Sequence, residues 1–134
     1  LIADELKEDG YPALIGPIMT DRSKPELKNQ TVKTAAALQS AGVEFAIVSD
    51  HPETPERYLL LSATAAEGLS GAQALKALTT APAHILGLDD RIGAIKPGMD
   101  ADMVVWDAIS TDAPLGKPRM VIIDGKIAVN QDKD

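Results

Sequence analysis

Cysteine is absent from the 134 residues, which excludes disulfides, thiolate chemistry and cysteine-based zinc sites and fits a cytoplasmic protein. Aromatic residues make up only 3% of the chain. Alanine and the aliphatic side chains must therefore build the core, which favours helices packed on strands over a base-stacking surface. Positive charge is also short. Thirteen Lys and Arg face 20 Asp and Glu, a net charge of −7 with no basic cluster, so neither nucleic acid nor an anionic membrane is an expected partner. No apolar run reaches the roughly 18–20 residues of a membrane span. The start lacks the basic region and apolar stretch of a signal peptide. It opens at Leu1-Ile2-Ala3-Asp4-Glu5-Leu6-Lys7, within a helical pattern and with neither an initiator Met nor a cap, and reads as a cut chain.

What is present is a chain of single-domain size, 45% apolar, long enough for a core but too short for a complete barrel enzyme. Ile2 and Leu6 lie four apart among charged residues, so residues 1–9 read as a helix stopped by Gly10. Ala13 to Ile18 is a nearly continuous apolar run, a buried strand, and a polar loop follows to Asn29. Thr31 to Ala41 has helical composition and ends at Gly42, and Val43 to Val48 is the strongest strand signal. Strand, helix and strand with short links is the βαβ pattern of a parallel sheet.

Residues 56–67 and 71–80 then read as helices, with a further helical turn over Pro82 to Leu86. From Ile92 the pattern changes. Gly93, Pro97 and Gly98 punctuate a turn-rich stretch before the strand Met103-Val104-Val105-Trp106. A proline-rich loop over Thr111 to Pro118 precedes Met120-Val121-Ile122-Ile123, and Asp124-Gly125 makes a hairpin turn into Lys126-Ile127-Ala128-Val129. The chain thus divides near residue 91 into an α/β part (1–91) and a small β part (92–134).

Asp50 is the leading candidate for chemistry. It follows a buried strand, and in parallel α/β sheets and barrels the C-terminal strand ends face the ligand. A carboxylate there suits a divalent metal or a proton from metal-bound water; the structural alternative is an Asp that caps the turn beside Pro52. His51 adjoins it, but neighbours on an extended segment point opposite ways, so substrate orientation or a backbone bond suits His51 better than chelation. His84 lies in a helical run and reads as a partly exposed helical histidine. Ser49 has no Gly-x-Ser-x-Gly elbow around it. Gly93 and Gly98 lack the spacing of a phosphate loop. Asp100, Asp102 and Asp107 flank a strand and read as turn and loop carboxylates.

The run from Ala81-Pro82-Ala83-His84 through Gly93-Ala94-Ile95-Lys96-Pro97-Gly98-Met99-Asp100-Ala101-Asp102 to Asp107 closely resembles the C-terminal signature of the amidohydrolase superfamily. Val121-Ile122-Ile123-Asp124-Gly125-Lys126 resembles its closing hairpin, and Val48-Ser49-Asp50-His51-Pro52 the end of its eighth barrel strand. The imidazolonepropionase-like subgroup is the most similar. The resemblance implies the C-terminal part of a TIM-like (β/α)8 barrel (its last two strands and helices) plus part of a small β-sandwich. It implies a parent enzyme in which a divalent metal, expected to be zinc, activates water against an amide or cyclic C–N bond of a small-molecule substrate. Asp50 would bind that metal and carry the proton to the leaving nitrogen.

The family's other metal ligands would lie upstream of Leu1. The isolated chain is therefore expected to bind catalytic metal weakly or not at all and to lack turnover. Uncovered strand edges invite pairing with another copy, so a homo-oligomer is expected. Two alternatives stay open: a non-catalytic binding or oligomerisation module of the same fold, and a barrel relative that has lost its ligands.

Overall fold

The computed structural model describes residues 2–18, 25, 28–50, 63, 65–107 and 118–131. Helix α1 spans Ala3–Asp9 and strand β1 Ala13–Ile15. Helix α2 spans Thr34–Ala41 and strand β2 Phe45–Ile47. Helices α3 (Gly71–Leu78) and α4 (Thr80–Ile85) follow. Strands β3 (Met103–Trp106), β4 (Pro118–Ile123) and β5 (Lys126–Asn130) complete the order. The fold is mixed α/β, and the described strands form no closed barrel: they make a two-stranded and a three-stranded sheet.

β1 and β2 pair in parallel, with Ala13, Leu14 and Ile15 opposite Phe45, Ala46 and Ile47, as the strand–helix–strand pattern predicts. Bonds from Ala13 N to the Glu44 carbonyl and from Val48 N to the Ile15 carbonyl, both 2.9 Å, extend the pairing beyond the ladder. The strand expected over 13–18 stops at Ile15 because Pro17 has no N–H to continue it. Gly16 is required by close approach. Its φ is +151°, and a Cβ there would overlap the Val48 carbonyl oxygen.

The core forms where the helices close over this pair. Ala35, Leu38, Val43, Phe45, Ile47 and Ala77 are buried together, with Ala63 and Ala66 beside them. Small alanines let helix backbones approach the sheet, and the lone Phe at position 45 supplies the largest buried side chain. α2 starts at Thr34 rather than Thr31, because Thr31 forms a turn instead. Its carbonyl accepts from Thr34 N (3.2 Å) and Thr34 Oγ1 (2.9 Å). The stop at Gly42 is as expected, with φ +73° and its N–H on the Gln39 carbonyl. Lys7 Nζ donates to the Gly42 carbonyl at 2.8 Å and so places a cation at the negative end of α2.

The helix predicted over 71–80 is two helices meeting at Thr79, whose backbone (φ −128°, ψ −79°) is not helical. Ser70 and Gln73 form a capping box at the start of α3, with bonds of 2.8 and 3.3 Å. The helix expected over 56–67 lies mostly outside the described residues, within which Ala63 and Ala65 are helical.

β3, β4 and β5 form an antiparallel sheet in that order. Both central residues of the hairpin, Asp124 and Gly125, have positive φ, the geometry that Asp-Gly favours. β4 begins at Pro118, inside the expected loop. Val104, Val121 and Val129 lie in one cross-strand row, and Met103, Ile122 and Ile127 in the next. Adjacent rows point to opposite faces, so both faces of this sheet are apolar. Val104, Val105, Ile123, Ile127 and Val129 are exposed.

One link joins distant segments through a titrating group. His84 Nδ1 lies 2.7 Å from Glu44 Oε2, tying α4 to the residue before β2. The hydrogen bond to Glu44 raises the His84 pKa most; the Glu44 and Asp89 charges also raise it, against smaller opposing effects of burial and Lys76. A pKa raised by folding stabilises the protein fully below the unfolded value, about 6.5, and the contribution is lost as pH rises through the folded value. His84→Gln is therefore expected to lower the melting temperature more at about pH 5.5 than at alkaline pH. Paired melting curves across that window check it. Gly16→Ala is expected to cost roughly 2–4 kcal/mol, read from urea denaturation, since the new methyl meets backbone that cannot yield.

Candidate functional site

In a parallel pair both C-terminal ends lie at the same edge, and here the segments leaving β1 and β2 stay in contact. Gly16 sits against Val48. Ile18 is buried at 7% exposure and anchors the segment after β1. After β2, Val48 gives way to Ser49 and then to Asp50, which is exposed. Strand burial explains this order. Phe45, Ala46 and Ile47 are at most 5% exposed, so polar chemistry emerges only where the strand ends.

Asp50 adopts φ +44°, the left-handed region that Asp enters more readily than most residues. The extended backbone expected across 49–51 is therefore broken at Asp50, so the argument from alternating directions does not hold there. His51 lies outside the described residues.

Gln30 belongs to this edge and was not anticipated. Its Nε2 donates to the Pro17 carbonyl, two residues past β1. That carbonyl only accepts, which fixes the amide orientation and leaves Oε1 buried without a partner. No local sequence signal marks Gln30; only the return of the chain past Pro17 reveals it.

The other carboxylates singled out in the sequence have structural partners. Asp100 Oδ2 meets Arg91 Nη2 at 2.6 Å, and Asp100 N donates to the Arg91 carbonyl at 2.8 Å. Asp102 Oδ1 accepts from Asp124 N at 2.8 Å and holds the hairpin turn. Asp107 pairs with Arg119 at 3.0 Å. His84 is an exposed helical histidine, as expected, paired with Glu44.

Among the described residues no cluster of three His, Cys, Asp or Glu side chains is arranged to hold a metal. A catalytic zinc takes about three protein ligands. Asp50 supplies one carboxylate, so the described residues do not by themselves fit a metal centre. No described helix is long and apolar enough to cross a membrane.

Comparison with known proteins places this geometry. A solved amidohydrolase from Thermotoga maritima MSB8 is similar over 96% of this chain and 34% of that one, with 41% identity and a TM-score of 0.88. An adenosine deaminase from Xanthomonas campestris, solved with bound zinc, is similar at 26% identity and a TM-score of 0.68. Among curated relatives, imidazolonepropionase from Polaromonas sp. is 35% identical over 78% of this chain and 27% of its own length. Amidohydrolase tasK from Hapsidospora irregularis is 39% identical over 76% of this chain. The chain spans about a tenth of tasK and about a quarter of the imidazolonepropionase. Residues 2–128 match the profile of the Amidohydrolase family, and with the structural likeness this shows that the chain belongs to the amidohydrolase family.

Proposed function

We propose that this chain supplies the last two strand–helix units of a TIM-like (β/α)8 barrel and part of a small β-sandwich to a metal-dependent amidohydrolase. On this reading Asp50 is one ligand of a divalent metal, zinc by analogy with the bound zinc of the Xanthomonas campestris relative. The observation that carries it is the position of Asp50 at the C-terminal end of a buried parallel strand in a chain of this family. Ligands project from that end of such sheets.

When bound, the metal would supply polarisation of a carbonyl and activation of water. This chain's own contribution is to hold a carboxylate at the strand end and to fix the neighbouring backbone through Gln30 and Gly16. The substrate class is a small molecule with an amide or cyclic C–N bond, in keeping with the imidazolonepropionase relatives. His51 is proposed to orient that substrate.

On this reading the chain alone does not hydrolyse substrate, because the one carboxylate that the described residues offer at this edge is too few ligands for zinc. Zinc competition against a chelator should show no micromolar site, and amide and cyclic-amide substrates should remain intact. Micromolar zinc binding together with turnover by the 134-residue chain would overturn this. A chimera that replaces the matching third of the zinc-bound Xanthomonas campestris chain should retain zinc after dialysis, and Asp50→Asn should lower that retention. Unchanged retention removes Asp50 from the ligand set.

The edge of β1 that no described strand covers, beside exposed Leu14, and the two apolar faces of the β3–β5 sheet favour self-association of the isolated chain. Light scattering after gel filtration is expected to show a dimer or larger species at roughly tens of micromolar protein. A monomer with one cooperative melt would favour a self-sufficient binding module instead.

A further inference from the structure

Among the described non-glycine residues only Asp50 and Asp124 have positive φ, at +44° and +51°. Asp124 has a local cause. It opens the two-residue hairpin turn, and its N–H is held by Asp102 Oδ1 at 2.8 Å. Asp50 stands between Ser49 and His51 with no glycine beside it. No hydrogen bond among the described residues fixes its N–H or its carbonyl. A left-handed aspartate is less favourable than an extended or helical one and persists where the surrounding structure imposes it.

The segment leaving β1 supplies that surrounding. Val48 N donates to the Ile15 carbonyl at 2.9 Å, and the Val48 carbonyl lies against Gly16, so close that a Cβ there would overlap it. The residue two before Asp50 is thus clamped at both its N–H and its carbonyl by the end of β1. Pro17 follows Gly16, and its carbonyl accepts from Gln30 Nε2. Gln30 gains one bond there while its Oε1 stays buried without a partner. An unsatisfied buried acceptor offsets much of what one amide hydrogen bond contributes. Stability alone gives little reason for a glutamine at this place; the position of the Pro17 carbonyl gives one.

We propose that Gln30 is a positioning residue for Asp50: by fixing the Pro17 carbonyl it holds Gly16 against the Val48 carbonyl, and this contact keeps the backbone after Val48 turned so that Asp50 stays left-handed. The use of that carboxylate in chemistry rests on the hydrolase reading above, whereas the backbone coupling between the two strand exits does not.

The test reads the intraresidue HN–Hα nuclear Overhauser effect in the isotope-labelled 134-residue chain, which is strongest where φ is positive. Asp50 and Asp124 are both expected to show it in the unmodified chain. Gln30→Met keeps the side-chain length and removes the donor. Gln30→Glu, at neutral pH, turns an acceptor toward the Pro17 carbonyl. Each variant is expected to lose at least about half of the Asp50 signal, as its backbone leaves the left-handed state, while Asp124 keeps its own. An Asp50 signal that survives both substitutions, with or without a lower melting temperature, overturns the proposal. So does its absence from the unmodified chain. Loss at Asp50 and Asp124 together in both variants makes Gln30 a general structural residue and overturns it too. Unchanged zinc retention by Asp50→Asn in the chimera would instead remove the hydrolase reading and leave the backbone result standing.

Discussion

The parallel pairing of Ala13–Ile15 with Phe45–Ile47 is the constraint from which the remaining α/β part follows. A parallel pair needs a crossover, and α2 with its glycine stop provides one of the right length. Burying β2 on both faces forces apolar residues along it, so the polar residues Ser49 and Asp50 are displaced to its end. The same pairing brings the two departing backbones together, where only glycine fits at position 16. Stability and the placement of a carboxylate are thus two consequences of one ladder.

Three acidic residues of the 91–107 region have structural partners. Arg91 with Asp100, Asp102 with the Asp124 N–H, and Asp107 with Arg119 fasten a turn and a hairpin. Exposed ion pairs contribute little each, about 0–1 kcal/mol. Their value is geometric: they hold the turn-rich approach to β3 and the β4–β5 hairpin in register. A sequence segment specific enough to resemble a family signature is, in this structure, specific because it builds a sheet rather than because it carries out a reaction.

Membership of the amidohydrolase family and the absence of a three-ligand cluster among the described residues are compatible for a physical reason. Barrel enzymes draw catalytic residues from the ends of several strands, and the two described parallel strands offer only one such carboxylate in view. The sheet of β3–β5 has a parallel incompleteness. A three-stranded sheet with apolar rows on both faces needs packing on each side, and its exposed valines and isoleucines are surfaces that stable folds cover.

The sequence by itself determined the local punctuation. Gly10 and Gly42 end helices where periodicity places them, the strand–helix–strand order gives a parallel pair, and Asp124-Gly125 turns the hairpin. The position of Asp50 just past β2 is legible for the same reason, because the end of an apolar run is a local feature. These signals act over a few residues, through backbone sterics and side-chain period, and survive without a fold. Tertiary structure alone decided the rest. It set Gly16 against Val48, Gln30 on the Pro17 carbonyl, and His84 on Glu44, 40 residues apart. It also turned Asp50 into a left-handed backbone and cut the predicted 71–80 helix at Thr79. Each depends on two segments meeting in space, and no spacing along one segment encodes where another will pass.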